Sequence, residues 1–351
     1  MASDLAGSTQ TGIRVQLCGD AHLANFGVFA SPERQLLFDL NDFDETLPGP
    51  WEWDVKRLAA SVAVAGRENA VETERRTAIV TQLVGEYRQA MRRFASMRTL
   101  DVWYARASVS ELQELVCSQR SGSLDRRVEK TVAKGRRKDS ARAFAKLAVT
   151  ENGDVRIRAD PPLIAPIADL VDRAGAARLQ DSAGKLLESY LVSLAGDRRR
   201  LLGRYRYVDL ARKLVGVGSV GTRCWVILLL GRDSSDPLFL LGWLRQPRGL
   251  EDLTPRDLYL RQLWDSKISA DISAMRPSDL AIYARLCGWT LARAHARSGE
   301  AIAIASYLGS ADVFDRAIAA FAEAYADQNE RDHAALVDAI AAGRVRADGE
   351  R

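Results

Sequence analysis

With 351 residues, 47% of them hydrophobic and 27% charged, the chain can bury one large core or two ordinary ones, which argues against a mainly disordered protein. Lys and Arg outnumber Asp and Glu by 50 to 46, and a net charge of +4 over this length singles out neither a nucleic acid nor a membrane as partner. Cys18, Cys117, Cys224 and Cys287 are scattered with no Cys-x-x-Cys pair, which argues against a zinc ribbon or a disulfide framework and fits a reducing compartment. No apolar run reaches the roughly 20 residues of a membrane span, and the first residues lack a basic and then apolar leader, so a cytoplasmic protein is expected.

In chain order, Ile13 to Leu17 alternates and predicts a strand. Gly27 to Ala30 and Gln35 to Leu40 predict two more, joined by the turn Ser31-Pro32-Glu33-Arg34. From Trp51 to about Ala95 the pattern is helical, with Val55, Leu58, Ala59, Val62 and Ala63 at three- and four-residue steps. Further helices are expected to about Leu147. Leu147 to Arg158 reads as a hairpin turning at Asn152-Gly153, ended by Asp160-Pro161-Pro162. A helix from about Leu179 to Leu194 leads to Arg198-Arg199-Arg200. Tyr207 to Leu241 is β-rich, Tyr259 to Leu263 adds a strand, and Ser278 to about Ala342 is Ala-rich and helical. The expectation is a helix-dominated α+β protein with two separated β regions.

Two acidic motifs carry the chemistry. In Cys18-Gly19-Asp20-Ala21-His22-Leu23-Ala24-Asn25, a strand end presents Asp20, and Asn25 offers a neutral oxygen ligand one short turn later; His22 is placed to orient the Asp20 loop. In Asn41-Asp42-Phe43-Asp44-Glu45, preceded by Asp39, four acids within seven residues repel one another unless a cation or basic partner compensates them. The hairpin between the motifs lets Asn25 and Asp42 converge. An Asp, then an Asn five residues on, then another Asp is the layout of a kinase-type site, in which the first orients the attacking hydroxyl and the others hold Mg²⁺ against nucleotide phosphates. Each motif alone also fits a capped polar turn or a solvated acidic loop.

Gly216-Val217-Gly218-Ser219-Val220-Gly221 lies between two β-rich runs, so a phosphate-covering loop suits it better than a dinucleotide fold, and a plain tight hairpin suits it equally. Asp54 opens a helix twelve residues after Asp42, as a helix-start acid or as catalytic support. His295 on its Ala-rich helix reads as a satisfied core or interface histidine. Lys130 to Lys146 is basic but interleaved only by Phe144, which favours a solvated face over a nucleic-acid platform.

At these residues the chain resembles the bacterial family called domain of unknown function 2252. The matching stretches are Val15 to Val28, Phe38 to Ser61, Val215 to Cys224, Tyr283 to Gly299 and Tyr325 to His333. More distantly it resembles aminoglycoside-phosphotransferase-like kinases, with their His-Gly-Asp-x-His-x-x-Asn loop and following Asp-Phe/Trp-Gly-Asp segment; Cys18 stands where the first His of that loop would be. That resemblance implies Asp20 as catalytic, Asn25 and Asp42 as metal ligands with Asp44 assisting, and Gly216, Gly218, Ser219 and Gly221 over the phosphates. His22, Asp39 and Asp54 would support them. Leu291 to His295 resembles a helix that normally precedes the catalytic loop, so the chain reads as a circular permutation of a protein-kinase-like fold. A helix-rich lobe at 1–202, a small truncated β lobe at 203–267 and packing helices at 268–351 are expected. Relatives carry a Lys-Glu-Ala strand end and a helix where Leu240-Leu241 here runs straight into Gly242-Trp243; Arg245 and Lys267 are the nearest substitutes for the phosphate-holding Lys.

The expected function is a phosphotransferase using Mg²⁺ and ATP on an unknown small-molecule or protein hydroxyl, with catalysis impaired by the missing segment. Two alternatives stay open: a non-catalytic kinase-like regulator or scaffold, and a metal-dependent phosphoesterase, which three histidines barely supply.

Overall fold

The computed structural model describes residues 1–31, 33–43, 45–108, 140–151, 154–214, 223–244, 258–263 and 268–345. In chain order these form α1 (Ala2–Ala6), β1 (Arg14–Gln16), a 3-10 turn (Leu23–Asn25), β2 (Phe26–Ala30), β3 (Leu36–Leu40) and β4 (Pro48–Pro50). Next come α2 (Trp51–Glu68), α3 (Thr73–Ala95), α4 (Thr99–Tyr104), α5 (Ser140–Leu147), β5 (Ala148–Glu151), β6 (Asp154–Ile157) and β7 (Ile164–Pro166). Then follow α6 (Ile167–Leu170), α7 (Arg173–Ser193), α8 (Gly196–Leu202), β8 (Arg206–Lys213), β9 (Arg223–Leu230), β10 (Pro237–Leu244) and β11 (Leu258–Gln262). The chain closes with β12 (Ile268–Ser269), α9 (Pro277–Ser298), α10 (Ala301–Leu308) and α11 (Val313–Ala341). The protein is α+β, and no described helix is long and apolar enough to cross a membrane.

The chain divides into two units: Met1–Val132 with Ile268–Arg351, and Ala133–Lys267. The first break therefore comes well before the expected boundary at 202–203, because α5, the β5–β6 hairpin and α7 pack with the strands that follow.

In the first unit α9 lies against α3, and Gly288 permits it: a Cβ there would stand 2.5 Å from the Leu83 carbonyl oxygen. Trp51 stacks on Tyr87 at 5.8 Å, both fully buried. Ion pairs tie α3 to α11, Arg88 to Asp315 at 2.8 Å and Arg76 to Glu323 at 2.7 Å. The helical run expected from Trp51 to Ala95 is two helices. Asn69 ends the first, donating to the Ile272 and Met275 carbonyls, and Ala70 takes a left-handed φ of 53°. Expected hairpin β2–β3 forms in register, Phe26 opposite Leu40 and Ala30 opposite Leu36, with β12 on its other edge. β1 pairs with β4. The described strands lie in two stretches of sequence, 14–50 and 148–269, and form four separate sheets among the described residues.

The second unit is an antiparallel five-stranded sheet, order β11-β10-β9-β8-β7, covered on both faces. Alternate residues of β9 serve each side: Val226, Leu228 and Leu230 join Ala143, Leu147 and Ile157, while Trp225, Ile227 and Leu229 join Ile167, Leu179 and Leu187. Two covered faces explain the unbroken apolar run of β9. Asp209 nails the hairpin to the sheet, accepting the Ile157 and Leu210 amides at 2.8 Å each, and burial pushes its carboxyl up. β10 runs without interruption through Leu240 to Trp243, pairing with β9 on one side and β11 on the other. The expected turn Asn152-Gly153, Asp44, the glycine loop of Gly216, Gly218, Ser219 and Gly221, Arg245 and Lys267 lie outside the described residues, as does most of the basic segment from Lys130.

Candidate functional site

The two acidic motifs fold against each other in the first unit. Gly19 has a φ of 84°, and a Cβ there would collide with the Glu45 carbonyl, so only glycine lets the loops touch. Leu17 donates its amide to the Leu47 carbonyl at 2.9 Å, and the Thr46 hydroxyl donates to the Leu17 carbonyl at 2.7 Å. Helices hold this pair of loops from behind. Ser61 on α2 accepts the Leu23 amide, and Tyr283 on α9 donates its hydroxyl toward the Leu23 and Phe26 carbonyls at 3.1 and 2.9 Å.

Asn25 joins the motifs. Its side-chain nitrogen donates to the Asp20 carbonyl and to the Asp42 carbonyl, each at 3.0 Å, and its backbone carbonyl accepts the Asn41 amide at 2.9 Å. With both amide hydrogens committed, the remaining capacity of the side chain is Oδ1, a ligand atom for a hard cation. Oδ1 of Asp42 is buried and meets no hydrogen-bond donor among the described residues. A buried carboxylate oxygen without a donor is costly, and a divalent cation is the partner that this donor set, one amide oxygen and one carboxylate, suits. The residues fit Mg²⁺ in that respect.

Asp20 sits in the opposite situation. The His22 Nε2 lies 3.2 Å from its Oδ2, and Arg57 gives Nε at 3.1 Å and Nη2 at 2.7 Å to its Oδ1. These bonds, His22 first and then Arg57, outweigh partial burial and hold the carboxyl at about 2. So weak a base orients a hydroxyl far better than it removes its proton.

Behind the loop stands a buried chain of polar groups. Asp54 Oδ2 accepts the Cys18 amide at 2.7 Å and meets His295 Nε2 at 3.1 Å; His295 Nδ1 meets the Tyr87 hydroxyl at 2.8 Å. Burial drives the Tyr87 phenol well above its ordinary range, so it keeps its proton for Nδ1 while Nε2–H points at Asp54. Cys18 Sγ, Asp54 and His295 place ligand-type atoms within 4.8 Å of one another. Burial and then Asp54 push the Cys18 thiol up, and both ring nitrogens of His295 are already engaged, by Asp54 and Tyr87. The trio is a hydrogen-bonded support.

Of the expected residues, Asp20, His22, Asn25 and Asp42 come together and Asp54 supports them. Asp39 is ion-paired to Arg293, which also donates to the Ala105 carbonyl, and it accepts the Leu40 amide. Its charge is therefore compensated by protein. His295 is fully buried and satisfied, as its Ala-rich context suggested. Arg57 is the residue that motif reading passed over. Its signal was the three-residue step from Asp54, which puts both on one face of α2.

The profile of the family described as "Uncharacterized protein conserved in bacteria (DUF2252)" matches residues 1–246 and 239–339. The chain belongs to this family. The match is in two stretches, and they meet within β10, where Leu240-Leu241 runs into Gly242-Trp243. Comparison with curated proteins and with solved structures gave no match.

Proposed function

We propose that this member of the DUF2252 family is a kinase-like protein that binds Mg²⁺ and ATP and transfers phosphate to a hydroxyl acceptor. The observation that carries the reading is the buried Oδ1 of Asp42, which meets no donor among the described residues, beside an Asn25 whose amide is turned by the Asp20 and Asp42 carbonyls. Asn25 and Asp42, with Asp44 assisting, would hold Mg²⁺, which when bound neutralises phosphate charge. Asp20 takes the hydrogen bond of the acceptor hydroxyl and aims its oxygen at the terminal phosphorus. The new P–O bond forms as the bond to the ADP oxygen breaks, and the hydroxyl proton leaves to solvent past the Asp20 carboxylate. A kinase-like, circularly permuted fold is part of the proposal, as are the glycine loop of Gly216 to Gly221 over the phosphates and a cytoplasmic location.

A second reading, a kinase-like regulator without catalysis, is favoured by one observation: β10 passes unbroken through the place where a phosphate-holding Lys would be expected. The phosphoesterase reading loses ground, since Asp20 is bonded to the one histidine near it. The test is thermal unfolding with and without Mg²⁺-ATP, beside Asp42→Asn. Stabilisation that needs Mg²⁺ and vanishes in the variant supports the site; a well-folded protein without any shift removes it. Turnover of ATP then separates enzyme from regulator.

A further inference from the structure

We infer that the acceptor is a small hydroxyl compound carrying an oxyanion, a carboxylate or a phosphate, and that Arg57 reads this anion; the inference rests on the phosphotransferase reading above. Three of the ion pairs that tie the first unit together across long stretches of chain are sunk in it, while in Arg285–Glu86 the arginine is 37% exposed. The arginine side chain is 9% exposed in Arg76–Glu323, 11% in Arg88–Asp315 and 7% in Arg293–Asp39. Arg57 and Asp20 are 37% and 39% exposed, and His22 beside them is 32% exposed. Arg57 is thus open to a ligand beside Asp20 while it braces the loop.

Geometry and charge agree. Arg57 spends Nε and Nη2 on a single oxygen of Asp20, and among the described residues it has no further hydrogen-bond partner. Its planar fork of five N–H donors therefore keeps Nη1 for a second acceptor. The Arg57 guanidinium stands against the Asp20 carboxylate, so the immediate surroundings of the transfer carboxylate offer a polycationic acceptor little attraction. An oxyanion on the acceptor meets Arg57 through charge-assisted hydrogen bonds and leaves the hydroxyl to the other Asp20 oxygen.

The test is thermal unfolding of the full chain with glycerol 3-phosphate, glycerate, glycerol or spermidine at about 20 mM, with and without Mg²⁺ and a non-hydrolysable ATP analogue. One or both anionic probes are expected to raise the midpoint, the comparison telling phosphate from carboxylate, while glycerol and spermidine leave it in place. Arg57→Gln is expected to weaken the anion response about tenfold or more, and Arg57→Lys to retain part of it. An equal response to glycerol or spermidine, no response to either anion, or a full response in Arg57→Gln overturns the inference. Should Arg57→Gln fail to fold, a full anion response in Arg57→Lys does the same. The Mg²⁺-nucleotide shift and its loss in Asp42→Asn are read in the same samples. If that shift persists while the anion response fails, the inference falls alone. If an Arg57-dependent anion response stands without it, the phosphotransferase reading falls and the oxyanion site remains.

Discussion

The Asp54 carboxylate accepts the backbone N–H of Cys18 at 2.7 Å, so a residue on the first turn of α2 fixes the base of the Asp20 loop 36 positions earlier in the chain. The bond is buried, and the same carboxylate oxygen also meets His295. Replacing Asp54 with Ala strands a buried amide and a buried imidazole at once. Asp54→Ala is expected to lower stability by about 2–4 kcal/mol, read from urea unfolding. Amide exchange at Cys18 and Gly19 should speed up by more than the global loss accounts for. Equal acceleration everywhere would assign Asp54 a role in the core alone.

Tyr87→Phe tests the far end of that chain. It removes the donor to His295 Nδ1 in a fully buried site and is expected to cost about 1–2 kcal/mol. A double-mutant cycle with Asp54→Ala should show coupling, since both act through one imidazole. Strict additivity would break the chain in two.

Stability in acid reports on Asp20. Its folded-state carboxyl ionises at about 2, below the ordinary 3.8, so the folded protein favours the charged form more than the unfolded chain does. That contribution is whole above about pH 5, fades as pH falls through the unfolded value, and is gone below the folded one. In His22→Asn and Arg57→Met the carboxyl returns toward its ordinary value, and the difference from wild type should narrow as pH drops from 5 to 2. The measurement is the urea midpoint at steps across that range. A constant gap would place the lost stability elsewhere.

Asp42→Asn should change sign with conditions. Without a cation it removes charge from a buried oxygen that meets no donor among the described residues, so apparent stability should hold or rise slightly. With Mg²⁺-nucleotide the wild type should overtake it. A loss of stability in the cation-free variant would mean that the carboxylate charge is compensated within the chain.

Two glycines make steric predictions. Gly19→Ala meets a left-handed backbone and the Glu45 carbonyl together, and Gly288→Ala drives a Cβ into the Leu83 carbonyl between α3 and α9. Each is expected to cost about 1–3 kcal/mol or more by calorimetry. Gly7→Ala, with open space around it, should cost far less.

Local pattern reveals local structure here. The β2–β3 hairpin was legible because alternation and a turn sequence lie within fifteen residues, and it brought Asn25 to Asp42. The helices of the C-terminal stretch were legible from Ala-rich periodicity. What stayed hidden depends on partners far away in sequence. Nothing near Asp39 announces Arg293, and nothing near Asp54 announces His295. β7 and β12 have three and two residues, too few for any period, and exist because β8 and β2 offer them an edge. The run at Asn69 looked continuous because its break is made by carbonyls of Ile272 and Met275. Residues 140–202 looked like part of a helical lobe because their apolar faces do not say which surface they cover.

The span between Asp54 and His295 has a consequence for synthesis. The loop with Asp20 leaves the ribosome early, but its braces on α9 follow 241 residues after Asp54. At translation rates of about 5–20 residues per second, the nascent loop waits roughly 12–50 s for them. Until then Leu17, Cys18, Leu23 and Phe26, all buried in the finished unit, have no Tyr283 or Leu291 to pack on. Fragments ending before α9 should therefore need chaperones and be cut by proteases within the loop, and a late stop codon should erase the site as surely as a change at Asp20.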